Sequence, residues 1–169
     1  MAKPNILCDC AGMTDDRWQE CRAHGPLGDI PYTIGGSDVA AVFGVSPWMT
    51  PLELWMIKKG KIQPKEKENA AQLQMGHLLE PIAAYWYQEK TRNLVENDTN
   101  LYQHADFPYA LANFDRRYTR VSDGEPGILE CKSCTFHKAA DWADDAIPLY
   151  YELRATRSCM KSASTKERT

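Results

Sequence analysis

An α/β fold, with a central mixed sheet flanked by helices, is the class this sequence predicts. Two observations point to it. Residues 14–90 carry helical signals one after another, and from Leu94 the pattern shifts to short alternating runs broken by turn residues, before helical signals return near the end. The chain has 169 residues with 43% hydrophobic content, enough for one core. A single domain over residues 1–169 is therefore expected.

Each element has a local cause. "TDDRWQEC" offers Thr14 as an N-cap, acids in the first turn, and Trp18 on the inner face of a short helix. After a Gly- and Pro-rich loop, Ser37 is placed to cap "DVAAVF", which Gly44 can close in the left-handed conformation. "TPLELWMIKKG" holds a capping box of Thr50 and Glu53, Pro51 at the first helical position, lysines in the last turn and Gly60 as the stop. A charged linker precedes a long helix from about 69 to 90, with an apolar stripe of Leu73, Gly76, Leu79, Ala83 and Trp86. Pro81 lies inside it and cannot donate to the carbonyl of His77, so a bend beside Glu80 is expected. "NLVEN", "NLYQH", "YALANFD" and "RRYTRV" are strand-like. "SDGEPG" is dense turn chemistry, and "ILECKS" closes a hairpin. "FHKAADWADDA" reads as helical, and Pro148 opens a last helix.

Charge and apolar patterning exclude several classes. The net charge of −3 removes a whole-surface basic field, so a nucleic-acid contact must come from a local patch. No apolar run approaches the roughly 20 residues that cross a bilayer, and "MAKPNILCDCAGMTDD" lacks the apolar core of a signal peptide. A soluble, intracellular protein follows. Under that expectation the six cysteines are free thiols rather than a disulfide framework. Cys8-x-Cys10 and Cys131-x-x-Cys134 remain metal half-sites on paper, with Cys21 and Cys159 as completions, and an iron–sulfur cluster stays open. Trp48, Trp55, Trp86 and Trp142 fall on helical faces and read as core or flanking residues rather than base-stacking platforms.

The chemistry concentrates in "GILECKSCT", 127–135. Glu130 and Lys132 share one face of a strand that otherwise reads as buried. Either charge alone in such a place would be neutralised; together, and with a cation, both persist. Asp115 lies fifteen positions before Glu130, on the preceding strand, where hairpin pairing would set the carboxylates side by side. A hard divalent ion needs several oxygens. Asp115, Glu130 and the carbonyl of Cys131 supply them, and Glu80 reaches in from the bent helix. Lys132 is then free to orient a water or a phosphate, the requirement of phosphodiester hydrolysis. A solvent-facing ion pair on an edge strand is the bland alternative for Glu130 and Lys132.

The Asp…Glu-x-Lys pattern resembles the PD-(D/E)XK nucleases. With "W-x-x-x-R" at Trp18 and Arg22, "IGGSDVAAVFGVSPWMTPLELW", "MGHLLEP" and "LANFDRR", residues 14–153 resemble the YqaJ-type viral recombinase family, relatives of the phage lambda exonuclease. The resemblance implies a restriction-endonuclease-like core. It also implies a magnesium- or manganese-dependent exonuclease, acting 5′ to 3′ on double-stranded DNA ends in phage-type recombination. Asp115 and Glu130 match the metal-binding acids, Glu80 the helix carboxylate near the metal, Lys132 the active-site lysine, and Arg22 and Ser37 positions near a 5′ phosphate. His77 is open as a ligand, an outer partner of the site or a packed helix residue. A homo-oligomer, a single-strand annealing partner protein and a cytoplasmic location are implied too. Residues 154–169 depart from the pattern: Arg154 stands where a glutamine is expected, and the tail has the look of a truncated end. That departure keeps a second reading open, a catalytically impaired DNA-binding remnant. A RecB-like nuclease with an iron–sulfur cluster is a third.

Overall fold

Among the described residues, five helices and six strands form in the order β1 (Asn5–Asp9), α1 (Asp15–His24), α2 (Gly36–Val42), α3 (Pro51–Lys58), α4 (Ala70–Thr91), β2 (Leu94–Asn97), β3 (Asn100–Gln103), β4 (Leu111–Ala112), β5 (Arg116–Thr119), β6 (Pro126–Leu129) and α5 (Leu149–Ser158). The structure, a computed structural model, describes residues 4–64, 70–134, 141–142 and 146–158. The helix expected over "FHKAADWADDA" falls mostly outside them, as does Cys159. The mixed α/β class holds. Its strands form two three-stranded antiparallel sheets, β1-β3-β4 and β2-β5-β6, instead of one central sheet. A parallel element is present as the isolated bridge between Ile34 and Ala110.

The chain divides into two compact units. The first, over residues 4–63, 99–113 and 149–158, is built around Cys21, Leu101 and Leu111, with Leu7, Cys8, Cys10, Met13 and Ile30 packed against them. Thr14 caps α1 as expected, accepting from the Arg17 N–H at 3.3 Å. Thr33, fully buried where the loop returns, donates its hydroxyl to the carbonyls of Arg22 and Ala23. The capping box of α3 forms: Thr50 N–H donates to Glu53 Oε2 at 2.8 Å and Glu53 N–H to Thr50 Oγ1 at 3.2 Å. Gly60 ends the helix at φ 65°. The expected Ser37 cap is corrected: α2 begins earlier, Gly35 is its N-cap, and the carboxylate of Asp38 accepts the Gly35 N–H at 2.8 Å. Asp38 outcompetes the serine because the same oxygen also pairs with Lys58, at 2.8 Å.

Thiol placement in this unit carries a pH consequence. Cys8 and Cys10 sulfurs lie 3.9 Å apart. Burial, then the neighbouring Cys8, push the Cys10 thiol up to about 12. A folded-state pKa above the unfolded value near 9 gives stability that is complete below pH 9 and is lost as pH rises through 12. The urea-midpoint difference between wild type and Cys10→Ser should therefore shrink steadily from pH 9 upward. A constant difference would contradict it.

The second unit covers 64, 70–98, 114–134, 141–142 and 146–148 of the described chain. Here α4 packs on β2 of the β2-β5-β6 sheet. It runs continuously through Pro81. The expected contact stripe is corrected in its large members: Leu73, Leu79 and Trp86 are exposed, its small members Gly76 and Ala83 are half-buried, Ala84 beside them is buried, and Glu80, Tyr87 and Gln88 are half-buried. The face turned inward thus carries no large aliphatic residue, and Tyr87 supplies its one large ring among the half-buried positions named. Hydrogen bonds help to fix it, with Asn93 Nδ2 donating to the Tyr87 hydroxyl at 3.1 Å and Val95 N–H to Gln88 Oε1 at 3.3 Å. Trp48 and Trp55, like Trp86, are at least half exposed and are not core residues.

Candidate active site

The site grows from the end of the β5–β6 hairpin. Arg116 pairs with Leu129 in the last rung of the ladder, so Asp115 and Glu130 are the next residues on each side. Neither lies in the paired strands, which corrects the expected strand positions for Asp115 and for Glu130–Lys132. The reason is local. Instead of a further ladder bond, the Asp115 carboxylate accepts the N–H of Cys131 at 2.7 Å, and the backbone leaves the sheet.

That departure gathers the charges. The Lys132 ammonium lies 2.6 Å from Glu130 Oε1 and 3.6 Å from Asp115 Oδ2, and it donates to the carbonyl of Cys131 at 3.2 Å. Three oxygens of the expected donor set thus surround one cationic nitrogen. All four residues are half-buried. The Cys131 thiol is pushed up to about 11 by burial and then by the charges of Asp115 and Glu80. It stays protonated at neutral pH, and this residue meets the Lys132 ammonium through its backbone carbonyl, which accepts.

Glu80 stands apart from that trio. Its Oε1 is 2.5 Å from Arg116 Nη1, and the same nitrogen donates to the backbone carbonyl of Asp115. Among the described residues no three His, Cys, Asp or Glu side chains converge as a metal-ligand set. The carboxylates of Asp115 and Glu130 meet around Lys132 while Glu80 is held by Arg116. His77 is exposed on α4. Arg116 is the residue that sequence reasoning passed over. The signal was its place directly after Asp115 at a strand start, where a side chain beginning on the sheet face can reach the covering helix.

Arg22 and Ser37 come together in the other unit. The Arg22 guanidinium lies 4.5 Å over the Trp18 ring. Around the point where a Gly35 Cβ would sit are Arg22 Nη2 at 3.2 Å, Asp38 Oδ2 at 3.7 Å and Ser37 Oγ at 4.0 Å. Any side chain at position 35 would crowd this cradle. Burial lowers the Arg22 pKa, Asp38 opposes that shift, and the charge of Arg154 adds to it. The cysteines are divided: Cys8, Cys10 and Cys21 line the first core, Cys131 is half-buried beside the acids, and Cys134 is exposed.

Comparison with known families identifies the class. Residues 17–158 match the YqaJ-like viral recombinase domain, and the chain belongs to that family. Among individual proteins it resembles the uncharacterized protein YqaJ of Bacillus subtilis (strain 168), with 32% identity over 149 residues. The match covers 88% of this chain and 43% of that protein, so the chain spans less than half the length of this curated relative. No helix among the described residues is long and apolar enough to cross a membrane.

Proposed function

We propose that this domain is a metal-dependent deoxyribonuclease of phage-type recombination, acting as a 5′-to-3′ exonuclease on double-stranded DNA ends. The observation that carries the reading is the oxygen cage around Lys132, with Glu130 Oε1, the Cys131 carbonyl and Asp115 Oδ2 at 2.6, 3.2 and 3.6 Å from its ammonium. Oxygens already aimed at a cation, all of them hard donors, fit Mg2+ or Mn2+. Asp115, Glu130 and the Cys131 carbonyl would hold the ion, with Glu80 as the further carboxylate. When bound, such an ion supplies Lewis-acid stabilisation of the phosphate and a water of lowered pKa.

The chain's own groups do the rest. Lys132 brings three N–H donors on a flexible stem to the same point, suited to a phosphate oxygen or to an attacking water. The Asp115 bond to the Cys131 N–H holds the two sides of the site in register. Arg22 and Ser37 are proposed to receive the 5′ phosphate, the guanidinium supplying charge and the hydroxyl a donor. A homo-oligomer, a single-strand annealing partner and a cytoplasmic location belong to the same proposal.

The test is digestion of end-labelled linear duplex against closed circular DNA with Mg2+, beside Glu130→Ala and Lys132→Ala. Loss of linear duplex in wild type alone, with circles spared, is the expected result. A second reading, DNA binding without turnover, draws on Arg154, whose charge disfavours the protonated form of Arg22 from a position where the family pattern has glutamine. Equal inertness of all three proteins, with duplex still bound, would establish that reading instead.

A further inference from the structure

Arg116 has a geometry that the hydrolytic reading does not use. One nitrogen of its guanidinium touches both Glu80 Oε1 and the carbonyl of Asp115, each at 2.5 Å. Its side chain is 14% exposed and that of Glu80 25%, so the pair is largely shielded and less weakened by water than a surface bridge. Glu80, Asp115 and Glu130 carry three negative charges here, and Arg116 and Lys132 return two positive ones. Each internal cation occupies a carboxylate that an incoming ion would need. Lys132 sits among its oxygens on a flexible stem. Arg116, by contrast, is anchored at two points, on the backbone just before its own strand and on the helix that covers it.

Arg116 also has somewhere to go. It walls a cleft of ≈ 210 Å³ between α4 and β2, together with Ala84, Tyr85, Gln88, Val95 and Asn97. The space that a guanidinium leaving Glu80 would enter is thus already lined by Arg116 itself, with Asn97 as a polar neighbour on its wall. Resting on the metal reading above, we infer that Arg116 is a positioning residue that competes with the metal for Glu80. The ion recruits this carboxylate only when the arginine withdraws into the cleft. Glu80 is then an exchangeable ligand, and Arg116 sets the metal affinity of the site.

The experiment titrates MnCl2 into the full chain without DNA, reading free Mn2+ by its EPR signal, with thermal unfolding recorded for each variant. Arg116→Gln is expected to tighten binding about tenfold, the scale of coupling between contacting groups. Glu80→Gln should weaken it, and Arg116→Gln added to Glu80→Gln should bring no further tightening. Arg116→Lys keeps the charge but loses the double contact. It should tighten binding by less, and it carries the test if Arg116→Gln does not fold. Unchanged or weaker binding in the Arg116 variants overturns the inference. So does equal tightening with Glu80→Gln present, because a plain charge effect would then suffice. Absence of Mn2+ binding in wild type as well as in every variant overturns the metal reading itself, and this inference with it.

Discussion

Gly127→Ala is expected to destabilise the protein by ~3 kcal/mol, the upper end of the cost of overpacking. An alanine Cβ at this position would lie 2.2 Å from Cζ, 2.4 Å from Cε1 and 2.5 Å from the hydroxyl of Tyr118. No contact that short survives, so either the ring or the strand must shift. The ring has little freedom. Tyr118 is 6% exposed, stands directly across the ladder from Gly127, and meets Tyr87 of α4 at a centroid distance of 5.5 Å. Glycine is present because the aromatic ring lies over its Cα and fills the space a side chain would take. Calorimetry should find the melting temperature lowered by roughly 6–12 °C if the chain melts as one domain of this size. Tyr118→Ala combined with Gly127→Ala should cost less than the sum of the two single changes, because the clash needs both partners. A Gly127→Ala change within about 0.5 kcal/mol of wild type would mean the ring is not held as described.

The same hairpin shows what can be read from a sequence. "SDGEPG" marked its turn, and the spacing from Asp115 to Glu130 put the two acids on neighbouring chains, because both signals are local or nearly so. Thr14 and the Thr50–Glu53 box were legible for that reason as well. The division into two sheets was not. β2 and β3 are separated only by Asp98 and Thr99, yet β2 pairs with β5 and β3 with β1. The break becomes intelligible once Asp98, its carboxylate buried, is seen paired with Arg117 of β5 at 3.1 Å. β1 itself has five residues, and its partner lies more than ninety positions away, so no local pattern announces it.

On α4 the periodicity was real, but which stripe faces the sheet is a tertiary decision. Large residues such as Leu79 and Trp86 stayed outside, and Glu80 turned inward to meet Arg116. An arginine following an aspartate reads as a solvated charge until that helix is in place. The α2 cap followed the same rule. Ser37 has the right chemistry, but Asp38 gains a second partner in Lys58, and a residue with two partners wins.

Asp115→Asn should abolish the proposed nuclease activity, by on the order of 10²–10³-fold or more, while leaving the fold nearly untouched. The carboxylate has two separable duties. One oxygen accepts the Cys131 N–H at 2.7 Å and holds the turn that carries Glu130 and Lys132 away from the sheet. Asparagine keeps a carbonyl oxygen for that bond, so the hairpin end should persist and stability should move by less than about 1 kcal/mol. The other duty is negative charge, 3.6 Å from the Lys132 ammonium, and asparagine has none to offer. Asp115→Ala removes both at once. It should lose activity to the same degree and also cost ~1–3 kcal/mol, because a half-buried N–H is left without its acceptor. Linear-duplex digestion and urea denaturation of the two variants side by side separate the duties. Asp115→Asn digesting duplex near the wild-type rate would remove this carboxylate from the chemistry and leave it a purely structural acceptor.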